Sequence, residues 1–97
     1  MAFEPKTLRH YEYELSAMLT AAADQDGEGL MDLENLLRDA LNNGIPQAAA
    51  EQRKRSGFSW AYYAQILGIS RAGAAKRYTV PADAKKDWIR KPKAAKA

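Results

Sequence analysis

Basic side chains are the residues of this sequence best suited to bind a charged partner, and they are concentrated in its C-terminal half. Residues 46–97 contain twelve lysines and arginines against three acids, a net charge of +9. Residues 1–45 contain three bases against nine acids, a net charge of −6. Ammonium and guanidinium groups bind phosphate oxygens. The asymmetry therefore indicates that the C-terminal half meets a polyanion and that the N-terminal half has another role.

Other kinds of chemistry find little support in the sequence. His10 is the only histidine, there is no cysteine, and no serine lies in a nucleophile-elbow pattern. A glycine-rich phosphate loop is also missing. The acids from Asp24 to Asp32 nearly match a calcium-binding loop, but Asn35 stands where the closing glutamate is required. We therefore expect no enzymatic activity, no catalytic residues, no cofactor and no metal site.

The elements that must position the basic residues are predicted to be helices. Valine occurs once and no apolar residues alternate with polar ones, so strand signals are nearly absent. Apolar residues at three- and four-residue spacing predict helices over about 5–23 and 30–41, with one apolar stripe each. Asn42-Asn43-Gly44 then supplies a left-handed stop. The fold class is all-α, and it begins with an acidic helical hairpin.

The C-terminal half is predicted to contain shorter helices. A third helix is expected over 46–55, a fourth over 60–67 and a fifth over about 71–78. Ser59 and Ser70 are suited to cap the last two. After Val80-Pro81 we expect one more short helix, over 82–89 and packed by Trp88, followed by a flexible basic tail.

The stretch from Ser59 to Tyr78, SWAYYAQILGISRAGAAKRY, breaks one helix and starts another. Ala64 is small enough for two helices to cross closely, Gly68 permits a positive φ, and Ile69 can fill the angle between the helices. The pattern resembles the helix-turn-helix of bacterial DNA-binding proteins, most closely the type in sigma-factor region 4. It departs from that type at Ala74, where a larger aliphatic residue is usual.

The resemblance implies that the second helix of the motif enters the major groove of double-stranded DNA. Arg71 and Ala72 would then lie closest to base edges, whereas Lys76 and Arg77 would contact phosphates. The basic cluster that ends the preceding helix would hold the DNA backbone. The full predicted DNA-binding set is Arg53, Lys54, Arg55, Tyr62, Ser70, Arg71, Ala72, Ala75, Lys76, Arg77 and Thr79.

Three segments follow: an acidic hairpin (1–45), a helix-turn-helix unit (46–80) on which it packs, and a basic tail (81–97). Three uses of the hairpin remain open. It can complete a monomeric core, form a homodimer interface, or dock on a host protein such as a polymerase subunit. The last use defines an alternative function, a helical protein-interaction module in which DNA plays no part.

The sequence thus predicts sequence-specific binding to double-stranded DNA by a small bacterial or phage protein. Such a protein would be a transcriptional regulator or a recombination accessory factor. No apolar run approaches the ~20 residues of a membrane span, and the first residues lack the pattern of a signal peptide. Together with the lack of cysteine, these features predict a cytoplasmic, nucleoid-associated location.

Overall fold

In the computed structural model, residues 2–89 are described, and their regular elements are all helices. The all-α class is therefore confirmed. Two compact units divide the chain, Met1–Leu37 and Arg38–Ala97, so the first unit ends before the predicted boundary at residue 45. The helices are α1 (Pro5–Ala23), α2 (Gly27–Asp39), a π-helical turn (Ala40–Gly44), α3 (Ile45–Ser56), α4 (Trp60–Leu67) and α5 (Arg71–Arg77).

The N-terminal unit contains α1 and most of α2, and most of the large apolar side chains of these helices are exposed. Pro5 stands in the first turn of α1, where its missing N–H costs no hydrogen bond. Among the acids of the calcium-like loop, Asp26 caps α2: its Oδ1 accepts hydrogen bonds from the backbone N–H of Glu28 at 3.1 Å and of Gly29 at 3.2 Å. No group of three or more metal-ligating side chains occurs among residues 2–89. The helices described also include none that is long and apolar enough to cross a membrane.

The predicted left-handed stop at Asn42-Asn43-Gly44 is wrong. Gly44 has a φ of −69° and belongs to the π-helical turn, which continues directly into α3. It is buried beneath Trp88, and a β-carbon at Gly44 would lie 3.2 Å from Cγ of that ring. A glycine is needed here because another part of the chain approaches closely, not because the helix ends.

The turn between α3 and α4 follows local capping rules. Gly57 has a φ of 72°, and its N–H donates to the Arg53 carbonyl at 2.7 Å. Ser59 Oγ then accepts from the N–H of Tyr62 at 3.2 Å and caps α4. The helices predicted over 46–55, 60–67 and 71–78 are confirmed, each within one residue at either end.

The short helix predicted over 82–89 is wrong. The Ala84 N–H donates to the Pro81 carbonyl at 3.1 Å, which forms a single turn, and the chain then runs without regular structure to Ile89. Trp88 does pack this segment on the fold, as expected, since its ring covers Gly44. The flexible tail predicted after Ile89 falls on residues 90–97, which lie outside the described part of the chain.

Candidate nucleic-acid interface

The turn between α4 and α5 has the geometry that its sequence predicts. Gly68 adopts φ 70° and ψ 33°, and its N–H donates to the Ala64 carbonyl at 2.8 Å. The Ile69 N–H donates to the same carbonyl at 3.1 Å. Ser70 Oγ accepts from the N–H of Gly73 at 2.9 Å and caps α5. The predicted left-handed conformation of Gly68 and the Ser70 cap are both confirmed.

Small residues allow α4 and α5 to pack closely. Ala64 on α4 and Ala74 on α5 are buried and form one cluster with Tyr63. Because the distance between packed helices depends on the side chains at their contact, two alanines bring these helices close together. Ala74, which departs from the residue usual in this motif, is completely buried. The aromatic rings nearby supply the volume that a larger aliphatic residue would have provided.

Tyr63 is the centre of this aromatic packing. Its ring makes edge or tilted contacts with Phe58, Trp60, Tyr62 and Tyr78, at centroid distances of 5.6 to 6.2 Å. Burial raises the pKa of the Tyr63 hydroxyl, and the positive charge of Arg53 opposes part of that shift.

The Tyr63 hydroxyl also joins α4 to α3. It donates to Gln52 Oε1 at 2.8 Å, and the Ala49 carbonyl lies 3.4 Å away as a second acceptor. The sequence did not identify Gln52 as the partner of this hydroxyl. A buried tyrosine needs a hydrogen-bond partner, yet the spacing of residues does not show which side chain supplies it.

The outer face of α5 is exposed and carries the positive charge. Exposed positions comprise Ser70, Arg71, Ala72, Lys76, Arg77 and Thr79, while Ala75 is half-buried. The Thr79 hydroxyl donates to the Ala75 carbonyl, so it is directed toward the helix backbone. The Arg77 guanidinium lies 5.8 Å from the centroid of the Tyr78 ring. Arg71, Lys76 and Arg77 therefore provide the exposed charge on a surface otherwise made of small side chains.

Ile69 does not fill the angle between the helices as predicted. Its side chain keeps 40% of its surface exposed and lies over Gly73, where a β-carbon would be 3.6 Å from Ile69 Cδ1. The same β-carbon would lie 3.1 Å from Ser70 Oγ. Glycine at position 73 thus leaves room for the capping hydroxyl, which offsets its poor helix propensity.

The three cations at the end of α3 have different surroundings in the fold. Arg53 is half-buried, and its guanidinium lies 4.0 Å from the centroid of the Trp60 ring. Arg55 forms an ion pair with Glu51 at 3.3 Å, whereas Lys54 is exposed. Arg53 is therefore held in a cation–π contact within the fold, and the contact of these three cations with the DNA backbone stays a prediction.

Tyr62, the predicted DNA contact on α4, packs against an aromatic neighbour. Its ring stacks on Phe58 with a centroid distance of 4.2 Å and an interplanar angle of 21°, and 40% of its surface remains exposed. Stacking restricts the ring while leaving the residue at the surface. Tyr62 is thus placed where a hydroxyl contact to a partner is sterically allowed.

Comparison of the chain with protein-family models, with curated proteins and with solved structures finds no match.

Proposed function

We propose that this protein binds double-stranded DNA in a sequence-specific manner and that α5 enters the major groove. One observation carries the proposal. Helix α5 buries Ala74 completely on one side and exposes Arg71, Ala72 and Lys76 on the other. A helix with a low, positively charged outer face fits a groove about 12 Å wide whose walls are phosphates.

Within this proposal the exposed residues have different roles. Arg71, at the start of α5, donates to base edges, where arginine prefers guanine. Lys76, Arg77 and Lys54 contact phosphates, which position the protein without specifying sequence. Arg53 contributes indirectly, by packing on Trp60 at 4.0 Å and holding α3 against α4.

We further propose that this is a small bacterial or phage protein that acts at the nucleoid in the cytoplasm, in keeping with its resemblance to helix-turn-helix proteins. A transcriptional regulator and a recombination accessory factor both fit, since each needs a compact DNA-binding unit. Selection of bound fragments from a fragmented bacterial or phage genome tests the proposal. A recovered sequence motif, bound more tightly than random DNA, is the expected result, and recovery of random fragments contradicts specificity.

The salt dependence of binding supplies the second test. If Lys76, Arg77 and Lys54 each contact one phosphate, the slope of log K against log salt concentration should be about −3. Affinity for a fluorescent duplex is measured between low and physiological salt. A slope near zero would show that phosphate contacts do not drive binding.

A second candidate function is supported by the N-terminal unit. Its apolar stripes on α1 and α2 are exposed, among them Leu8, Leu15, Met18, Leu30 and Met31. Exposed apolar patches mark protein interaction sites, so these helices are candidates for a homodimer interface or for docking on a host protein. Sedimentation at increasing protein concentration separates the two: self-association supports the homodimer, and a monomer at all concentrations supports a different partner.

A further inference from the structure

One side of α1 carries a continuous stripe of large apolar side chains that remain exposed. The stripe consists of Leu8, Tyr11, Leu15, Met18 and Leu19, and each of these residues keeps between 41% and 52% of its surface exposed. Side chains three and four positions apart lie on the same face of a helix, so the stripe extends over about 17 Å of α1. An apolar surface of this length is available to another molecule.

Glutamates border this stripe on both sides. Glu12 is four residues after Leu8, and Glu14 is four residues before Met18. At 3.6 residues per turn these two positions fall on opposite edges of the stripe. Both glutamates are exposed. Any surface that covers the stripe therefore meets a row of apolar side chains with a negative charge along each edge.

The net charge of the N-terminal unit limits what that surface can be. Residues 1–37 contain eight acids and two bases, a net charge of −6. A second copy of the unit would bring the same charge against it, and like charges facing each other disfavour association. DNA and anionic lipid surfaces are negative as well. A protein surface that combines apolar side chains with lysine and arginine is complementary in both respects.

We propose that α1 docks through its apolar stripe on another protein, on an apolar surface bordered by lysine and arginine. This inference rests on the second candidate function and names the chemistry of the partner. Amphipathic helices bind partners through apolar anchors at positions i, i+3 and i+7, which is the spacing of Leu8, Tyr11 and Leu15. Glu12 and Glu14 then pair with the basic borders and set the orientation of the helix.

Two helical peptides of opposite charge test this chemistry. The first peptide presents leucine on one face with lysine along both edges, and the second has glutamate in place of every lysine. Fluorescence anisotropy measures the affinity of each labelled peptide for the full chain. We expect the leucine–lysine peptide to bind about tenfold more tightly at low salt, because two ion pairs replace two repulsive pairs. Equal affinities, or no binding by the leucine–lysine peptide, overturn the inference.

Paired variants place the binding site on the stripe. Leu15→Gln lies in the stripe, whereas Tyr13→Gln lies on the opposite face of the same helix, where Tyr13 is exposed. We expect Leu15→Gln to weaken binding of the leucine–lysine peptide about tenfold, because an apolar contact is lost, and Tyr13→Gln to leave it unchanged. Circular dichroism verifies that both variants keep their helices. Equal losses would show that the peptide does not bind at the stripe.

A second pair of variants examines the charge. Glu12→Gln should weaken binding of the leucine–lysine peptide about threefold at low salt, because one ion pair is lost. The loss should disappear at high salt, where charges are screened. Asp83→Asn removes one exposed carboxylate from the C-terminal unit and should leave the affinity unchanged. Equal effects of the two substitutions would show that the borders of the stripe do not select a basic partner.

Two further measurements separate this inference from the proposed functions. Sedimentation of the full chain should show a monomer. Self-association that Leu15→Gln abolishes would make a second copy the occupant, which overturns this inference but keeps the stripe as an interaction site. A monomer that binds neither peptide overturns the second candidate function as well. The affinity of Leu15→Gln for the selected DNA should equal that of the unmodified chain, and peptide binding without any DNA binding would overturn the DNA-binding proposal alone.

Discussion

The helices of the N-terminal unit expose most of their large apolar side chains, whereas the contact between α4 and α5 in the C-terminal unit buries small ones. On α1 and α2, Tyr13 and Met31 keep 72% and 59% of their surface exposed. At the contact of α4 and α5, Ala64 and Ala74 keep 6% and 0%. Apolar residues at helical spacing stabilise a helix only if another surface covers them, while facing alanines let two short helices pack without a partner. Close packing here depends on small residues more than on hydrophobicity.

The two units also differ in charge, and this bears on what each can bind. The acids of the whole chain lie mainly before residue 46, and the bases mainly after it. Negative charge keeps α1 and α2 away from phosphates, so their exposed apolar stripes suit a protein surface. The positive face of α5 suits DNA. The two candidate functions therefore assign different partners to different halves of one chain.

The largest effect expected from this comparison is on stability. Ala74→Leu would place a larger side chain at a completely buried contact and should lower the free energy of unfolding by about 3 kcal/mol, because overpacking forces helices apart. Ala72→Leu on the exposed side of α5 and Ala17→Leu on exposed α1 are matched controls. Each should change stability by less than about 0.5 kcal/mol. Urea denaturation measures all three, and equal values would mean that α4 and α5 do not pack as described.

The next effect concerns DNA binding by the exposed face of α5. Arg71→Ala should weaken the free energy of binding to the selected sequence by about 1–3 kcal/mol, because a base contact is lost. The loss on random DNA should be much smaller. Lys76→Ala should weaken binding to both by similar amounts, because phosphates are the same in every sequence. Fluorescence anisotropy with both duplexes measures the difference. Parallel losses in the two variants would remove the base-contacting role of Arg71.

The parts of the fold that the sequence predicted correctly depend on neighbouring residues. The bounds of α4, the Ser59 and Ser70 caps and the positive φ of Gly68 are all set within a few positions along the chain. Capping hydroxyls and left-handed glycines act on their own backbone neighbourhood. Their positions in the sequence are therefore sufficient to place the turn.

Two features that the sequence did not predict are contacts between residues of different elements. Asn42-Asn43-Gly44 has the composition of a helix stop, but Trp88, far along the chain, covers Gly44 and keeps it helical. In the sequence Arg53 looks like a free cation, but in the fold its guanidinium forms a cation–π contact with Trp60, which requires α3 and α4 to be packed together. Local composition does not show which residues from another part of the chain will contact a given position in the fold. The DNA-binding role of the exposed cations stays a prediction for the same reason, since their partner is another molecule.

A smaller effect separates two neighbouring cations of α3. Arg53→Ala should lower the free energy of unfolding by about 1 kcal/mol through loss of its contact with Trp60, with an unchanged salt slope of DNA binding. Lys54→Ala should leave stability unchanged and make the salt slope shallower by about 0.9, the contribution of one phosphate contact. Denaturation and salt titration of both variants decide the assignment. The reverse pattern would restore Arg53 to the DNA surface.

The smallest effect is expected at the Tyr63 hydroxyl. Burial raises its pKa above the usual 10.0 in the folded protein, so the unfolded chain loses this proton at lower pH than the folded one. The stabilisation that this raised pKa gives the folded protein is therefore complete below about pH 10 and is lost as pH rises through the folded pKa.

Tyr63→Phe should lower the free energy of unfolding by about 1 kcal/mol at neutral pH, because the hydrogen bond to Gln52 is lost. It should also make the decline of this free energy above pH 10 less steep. Tyr13→Phe, at an exposed position of α1, is the matched control and should leave the free energy of unfolding at neutral pH unchanged. Unchanged stability at neutral pH would show that this hydroxyl does not join α4 to α3, and identical pH profiles would show that burial does not raise its pKa.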